Sequence, residues 1–255
     1  TEICGNSITV PEFLSKRYRD NRNILTAIGA IIIIIFFIPY TASGFSACGK
    51  LFNSLFGVDY ITAMIVSAVV IVLYTTLGGF LAASTSDFIQ SCIMTVALII
   101  VLGFGIYTAG GIGQVIDNSR ELAGYLSLTH SHDQATGASS PYGFISIVST
   151  LAWGLGYFGM PHILLRFMAI EDHKKLKLSR RVATVWVVIS MGAAVAIGVV
   201  GLSMSKAGAV PYLEGSSASE TIIIQISSLI STHGVIAALV AGLIIAGILA
   251  ATMST

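Results

Sequence analysis

Six apolar runs dominate this chain, at 24–48, 60–77, 88–109, 144–167, 182–205 and 235–255. Each approaches or exceeds the about 20 helical residues needed to cross the roughly 30 Å hydrocarbon core of a bilayer. Within lipid every backbone polar group must be satisfied internally, so runs of this length fold as helices. The expectation is an all-α membrane protein with about six transmembrane helices. Composition agrees, since 10% of residues are charged against about 25% in soluble domains.

Charge placement predicts orientation. Lys16, Arg17, Arg19 and Arg22 precede the first run, and Arg166, Lys174, Lys175, Lys177, Arg180 and Arg181 lie between the fourth and fifth. These are ten of the thirteen basic residues, and they share a side if all six runs cross. The excess of Lys and Arg on cytoplasmic loops then sets the N-terminal segment and the loop 168–181 in the cytoplasm of a cell whose plasma membrane the chain spans. The polar stretch 110–141 falls outside. Basic and acidic residues nearly cancel in total, and no nucleic-acid partner is expected.

The fourth run contains its own interruption. It reads Trp153, Gly154, Leu155, Gly156, Tyr157, Phe158, Gly159, Met160, Pro161, His162. Three glycines and a proline predict a helix broken at membrane depth, which is tolerated only against protein or a cavity. In secondary transporters such breaks mark solute and ion sites; the alternative is a kink with no ligand. Trp153 and Tyr157 share a face if the helix reaches that far, and their amphipathic rings suit a small solute with apolar and polar parts. Gly154, Gly156 and Gly159 also match a dinucleotide fingerprint, but that motif needs a strand, a helix and an acidic residue within a βαβ unit, whereas these glycines lie within a membrane span with a proline after them.

In the last run Gly234, Ala238, Gly242, Ala246, Ala250 and Ser254 recur every four residues, beside a row of Gly247, Ala251 and Thr255. Small residues permit close helix packing. The stripe ends in the hydroxyls of Ser254 and Thr255, the oxygen chemistry that hard cations take, so it could supply part of a sodium site. Asp87, the one charged residue between Asp59 and Asp117, reads either as a helix cap, with Gln90 three residues on, or as an ion-path carboxylate. Cys4, Cys48 and Cys92 have no metal-ligand spacing, nor do the five histidines. No nucleophile–base constellation points to an enzyme, and no cofactor is expected beyond a coupling ion. The chain begins at Thr1 and stops at Thr255 within an apolar run. The expectation is one transmembrane transporter domain over 1–255, truncated at both ends.

With these segments assembled, the chain resembles the sodium:solute symporter family. The resemblance rests on Trp153 to Gly159 with Pro161 and His162, on Arg166, Phe167, Met168 and Ala169, on Gly78 to Ala82 with Asp87, and on Leu249 to Thr255. Met160 departs from it, standing where a glutamine is common, as does Thr85, where a tryptophan is usual. The resemblance implies a LeuT-type inverted-repeat core, with the six runs as core helices three to eight. It implies sodium ligation by Ser254, Thr255 and the carbonyl of Ala251, sodium coupling through Asp87, and solute contacts at Trp153, Tyr157, Pro161 and Tyr40. The function it implies is sodium-coupled uptake of a small solute, L-proline first. Pantothenate, another amino acid or a monocarboxylate are alternatives, as is the membrane domain of a sensor.

Overall fold

The computed structural model describes residues 5–133, 136–170, 172–213 and 215–254. In chain order the helices are α1 (Val10–Arg17), α2 (Ile24–Phe56), α3 (Tyr60–Thr108), α4 (Ile112–Arg120), α5 (Phe144–Gly156), α6 (Pro161–Met168), α7 (Leu176–Lys206), α8 (Gly215–Ser219), α9 (Ile222–Ser231) and α10 (Val235–Ser254). Two three-residue strands, β1 (His130–His132) and β2 (Ser139–Pro141), pair between α4 and α5. The all-α expectation is corrected by this short pair alone, where Gly137 takes a left-handed φ of 67° between the strands.

Among the described residues, four helical segments are long and apolar enough to cross a membrane: Ile24–Phe56, Tyr60–Thr108, Phe144–Met168 and Leu176–Lys206. The six expected runs fall on them and on α10. The second and third runs are one element, α3, 49 residues long. At 1.5 Å per residue that is about 73 Å, more than twice the hydrocarbon thickness. Its helical geometry fails at Gly79, with φ 58° and ψ −157°, a region open essentially to glycine alone. Gly79 thus separates the second run from the third. The helix resumes at Phe80, which corrects the expected cap at Asp87: seven helical residues already precede it. α7 begins at Leu176, so Lys177, Arg180 and Arg181 sit on its first turns rather than in the loop before it.

The chain forms two compact units. The first comprises residues up to Thr41, Thr129–Ser131 and Ser140–Trp186. Here α1 is set locally. The Thr9 hydroxyl accepts the Glu12 N–H, and the Glu12 carboxylate accepts the Ile8 N–H and pairs with Lys16 at 2.6 Å. Those bonds, the one to Lys16 foremost, hold the Glu12 carboxyl below its usual range. Pro11 is buried and lies close to Gly29 of α2, where an added Cβ would come within 3.2 Å of the proline ring.

The second unit comprises Ala42–Leu128, His132–Ser139 and the chain from Val187 onward. Its core joins Ala97 and Val101 of α3 to Ile197, Val200 and Met204 of α7, Ile226 and Ile230 of α9, and Ala241 and Ile244 of α10. Glycines set the closest approaches. A Cβ on Gly105 would lie 2.7 Å from Val200, one on Gly201 2.6 Å from Ile222, and one on Gly247 2.8 Å from Ile93. Lys206 ties the end of α7 to α4 through the Glu121 carboxylate at 2.8 Å and the Asn118 carbonyl at 3.1 Å.

The four-residue stripe of α10 does not make this packing. Ala238, Gly242 and Ala246 are exposed, whereas Ala241, Ile244 and Gly247 are buried. The helix turns its adjoining row to α3, because there Gly247 admits the branched Ile93 side chain.

Candidate functional site

The expected break in the fourth run is present. α5 ends at Gly156, Tyr157–Gly159 tighten into a 3-10 turn, and Met160 is extended at φ −73° and ψ 114°. A residue before proline is pushed out of the helical region by the proline ring, which accounts for Met160. Pro161 then opens α6 at its first position, where its missing N–H costs nothing. The Met160 carbonyl accepts the Ile163 and Leu164 N–H groups at 3.2 and 3.1 Å. Helix ends leave last-turn carbonyls without α-helical partners, and here the 3-10 turn takes up part of them, the Tyr157 carbonyl accepting the Met160 N–H at 3.4 Å.

Around this break the aromatic side chains divide. Trp153 is 70% exposed and Tyr157 49% exposed. Tyr157 keeps helical geometry, at φ −61° and ψ −28°, so the two rings stay on one face as expected. Tyr40, next to Pro39 inside α2, enters a three-ring cluster instead. Its ring stacks on His162 at 5.5 Å, Phe37 meets His162 edge-on at 5.6 Å, and Phe37 lies 5.4 Å from Tyr40. Tyr40 and the proline end of the break are thereby brought together. Trp153 and Tyr157 stand outside that cluster.

Phe37 had no place in the sequence reading, and His162 entered it as part of the motif at the break without a role. The Nδ1 of His162 is buried and has no hydrogen-bond partner among the described residues. In the sequence, its place beside Pro161 in the stretch that carries the resemblance was the signal.

The candidate ion residues lie in the other unit, on α3 and α10. These helices run antiparallel: Phe104 meets His233, just before α10, at 5.3 Å, and Ile93 meets Gly247 farther along. Asp87 precedes Ile93 by six residues, and Ser254 follows Gly247 by seven. At 1.5 Å per residue they lie about 9 and 10.5 Å beyond the shared contact, in the same direction. By that register Asp87 and Ser254 fall at one level of the helix pair. The Asp87 carbonyl accepts the Ser91 hydroxyl at 2.7 Å. α10 continues helically through Ala251 to Ser254. The side chains at 251 and 254, and Thr255 altogether, lie outside the described residues.

A cavity of about 550 Å³ also opens in this unit, lined by Glu121, Tyr125, His132, Gly201, Tyr212 and Ile222 among others. None of the expected site residues lines it. Burial there pushes the Tyr125 hydroxyl above its ordinary pKa.

Comparison with known proteins adds a family. The sequence model of the sodium:solute symporter family matches residues 3–255. Sodium/proline symporters of Staphylococcus aureus strains USA300 / TCH1516 and JH9 are each 38% identical over 255 residues, 100% of this chain and 46% of theirs. The chain thus spans about half the length of the curated relatives it matches. No solved structure matches it.

Proposed function

The chain belongs to the sodium:solute symporter family, and from that membership we propose that it carries the solute-binding break and half the sodium site of a sodium-coupled carrier for L-proline. The family is one of transporters, not enzymes, and the chain is a multi-pass membrane protein. The observation that carries the proposal is the interrupted helix at Tyr157–Met160 within an apolar segment. Backbone carbonyls whose α-helical bonding is interrupted and two amphipathic rings there meet the needs of a small zwitterion: polar groups for its ammonium and apolar faces for its ring. The 38% identity to sodium/proline symporters supports proline over other solutes.

In this reading the chain is one transporter domain, with core helices three to eight of an inverted-repeat fold. α3 contributes two of them, hinged at Gly79. The N-terminal segment and the basic stretch 168–181 face the cytoplasm, as their charge requires. Sodium is held by the hydroxyls of Ser254 and Thr255 and the carbonyl of Ala251, with further ligands from elsewhere in the protein. The common level of Asp87 and Ser254 supports a role for the Asp87 carboxylate in the same ion path. Trp153, Tyr157, Pro161 and Tyr40 form the solute side. Coupling follows if sodium and solute favour the same conformational state, because a ligand shifts an equilibrium only by its preference between states. The gradient supplies about 2.3 kcal/mol per charge per 100 mV, plus the concentration ratio.

Trp153→Ala in the full-length protein tests the solute side. Removing a ring that covers bound solute is expected to raise the proline concentration for half-maximal uptake by about tenfold, the equivalent of about 1.4 kcal/mol of lost contact. The sodium dependence should stay unchanged. Unaltered proline affinity at normal surface expression would make the break a structural kink alone.

A further inference from the structure

We infer that His162 is a solute-contacting residue of this carrier, its Nδ1–H donating to the solute carboxylate once the rings of Phe37 and Tyr40 part. The inference rests on the reading of the helix break as a solute site and adds to it a residue that fixes which solutes are accepted.

The starting point is a polar atom that the described residues leave unsatisfied. His162 Nδ1 is shut off from solvent and makes no hydrogen bond among them, although buried polar atoms in folded proteins are almost always paired. Two aromatic rings pack on the imidazole, Tyr40 stacked and Phe37 edge-on. Such rings fill space but give an in-plane ring nitrogen no partner. A partner that arrives with the solute resolves this.

Three features make that partner a carboxylate. An imidazole N–H is a donor, and it sits one residue after the break, on the second residue of α6. Arg166 lies four residues on along the same helix, and residues so spaced share a face, so a fixed positive charge stands one turn behind the donor. The start of a helix also favours negative charge. The rings, meanwhile, are hung where they can move. Tyr40 follows Pro39 and His162 follows Pro161, and a proline interrupts the hydrogen-bond ladder beside each ring. Parting Tyr40 from His162 therefore disturbs few backbone bonds. The aromatic faces so uncovered suit the saturated ring of the same solute.

The test is uptake of labelled L-proline by the full-length protein in proteoliposomes at saturating sodium, with unlabelled L-proline and L-prolinamide as competitors. Prolinamide keeps the ring and lacks the carboxylate. His162→Phe retains a ring against Tyr40 and removes both nitrogens. It is expected to raise the half-saturating proline concentration about tenfold, as loss of a charge-assisted hydrogen bond does, with the maximal rate largely retained. It should also bring the inhibitory concentrations of proline and prolinamide close together. His162→Asn, whose amide reaches the Nδ1 position, should recover more of the preference for proline than His162→Leu does. A packing role alone predicts the reverse order, with Leu and Phe tolerated and the competitor ratio unmoved. Wild-type uptake of proline together with an unaltered ratio in His162→Phe overturns this inference alone. If His162→Phe does not insert, equal competitor ratios in the Asn and Leu variants overturn it. Wild-type protein that takes up no proline under a sodium gradient overturns the transport reading, and this inference with it.

Discussion

Replacing Ser254 and Thr255 together with alanine is expected to raise the sodium concentration for half-maximal uptake by about a hundredfold. A hydroxyl serving an ion loses on the order of 1.5 kcal/mol when removed, comparable to a hydrogen bond to a charged group, and two such losses make about 3 kcal/mol, or roughly two powers of ten. Hydroxyls are the only side-chain oxygens that Ser254 and Thr255 offer, and the bare carbonyl of Ala251 cannot compensate. Each single replacement should cost about one power of ten. The proline affinity measured at saturating sodium should recover, because the solute side lies on other residues. Sodium dependence unchanged in a well-expressed double variant would remove the ion site from α10. It would also leave the common level of Asp87 and Ser254 without a function.

The second large effect is on packing. Gly201→Leu is expected to destabilise the protein by about 1–3 kcal/mol, the usual cost of forcing extra methylenes into a filled site. Gly201 is buried on α7, and a Cβ there would lie 2.6 Å from Cγ1 and 2.9 Å from Cδ1 of Ile222. Ile222 is the first residue of α9, and the clash is with its Cγ1–Cδ1 arm, the branch carbon Cβ lying 3.9 Å away, so relief requires that arm to leave its rotamer. Gly198, one turn earlier on the same helix, has nothing within 4 Å of an added Cβ. Gly198→Leu is therefore the internal control and should be tolerated. Thermal unfolding of the purified protein in detergent reads both, and a drop of about 2–10 °C confined to Gly201→Leu is expected. Equal melting of the two variants would mean that α7 and α9 do not pack through Gly201.

What could be read from the sequence was local. The break in the fourth run follows from Gly156, Gly159 and Pro161 acting on their own neighbours, and the structure has it between Tyr157 and Met160. Length and apolarity carried the remaining runs, with one exception. Asp87 and Gln90 match a capping pattern, but a cap also needs non-helical backbone just before it. Gly79 ends the irregularity too early, and the helix is under way from Phe80. No spacing within residues 84–90 encodes that.

What could not be read was tertiary. The face that α10 buries depends on Ile93, far away in the chain, so the regular stripe of Ala238, Gly242 and Ala246 was a poor guide to it. α9 is ten residues, all Ile, Leu or Ser but for Gln225, too short for the length rule that found the other apolar helices. Of the solute side, Tyr40 came from family resemblance and is joined to the break through His162. His162 belonged to the stretch that carries the resemblance but had no role there, because an orphaned nitrogen is a property of its surroundings rather than of its position in the sequence.

The most direct test of the central claim is uptake of labelled L-proline by the full-length protein in proteoliposomes under an inward sodium gradient, compared with potassium in its place. Sodium coupling through this chain predicts accumulation above equilibrium in sodium only, abolished by excess unlabelled proline and by collapsing the gradient. Equal uptake in sodium and potassium, or none in either with correctly inserted protein, would contradict it.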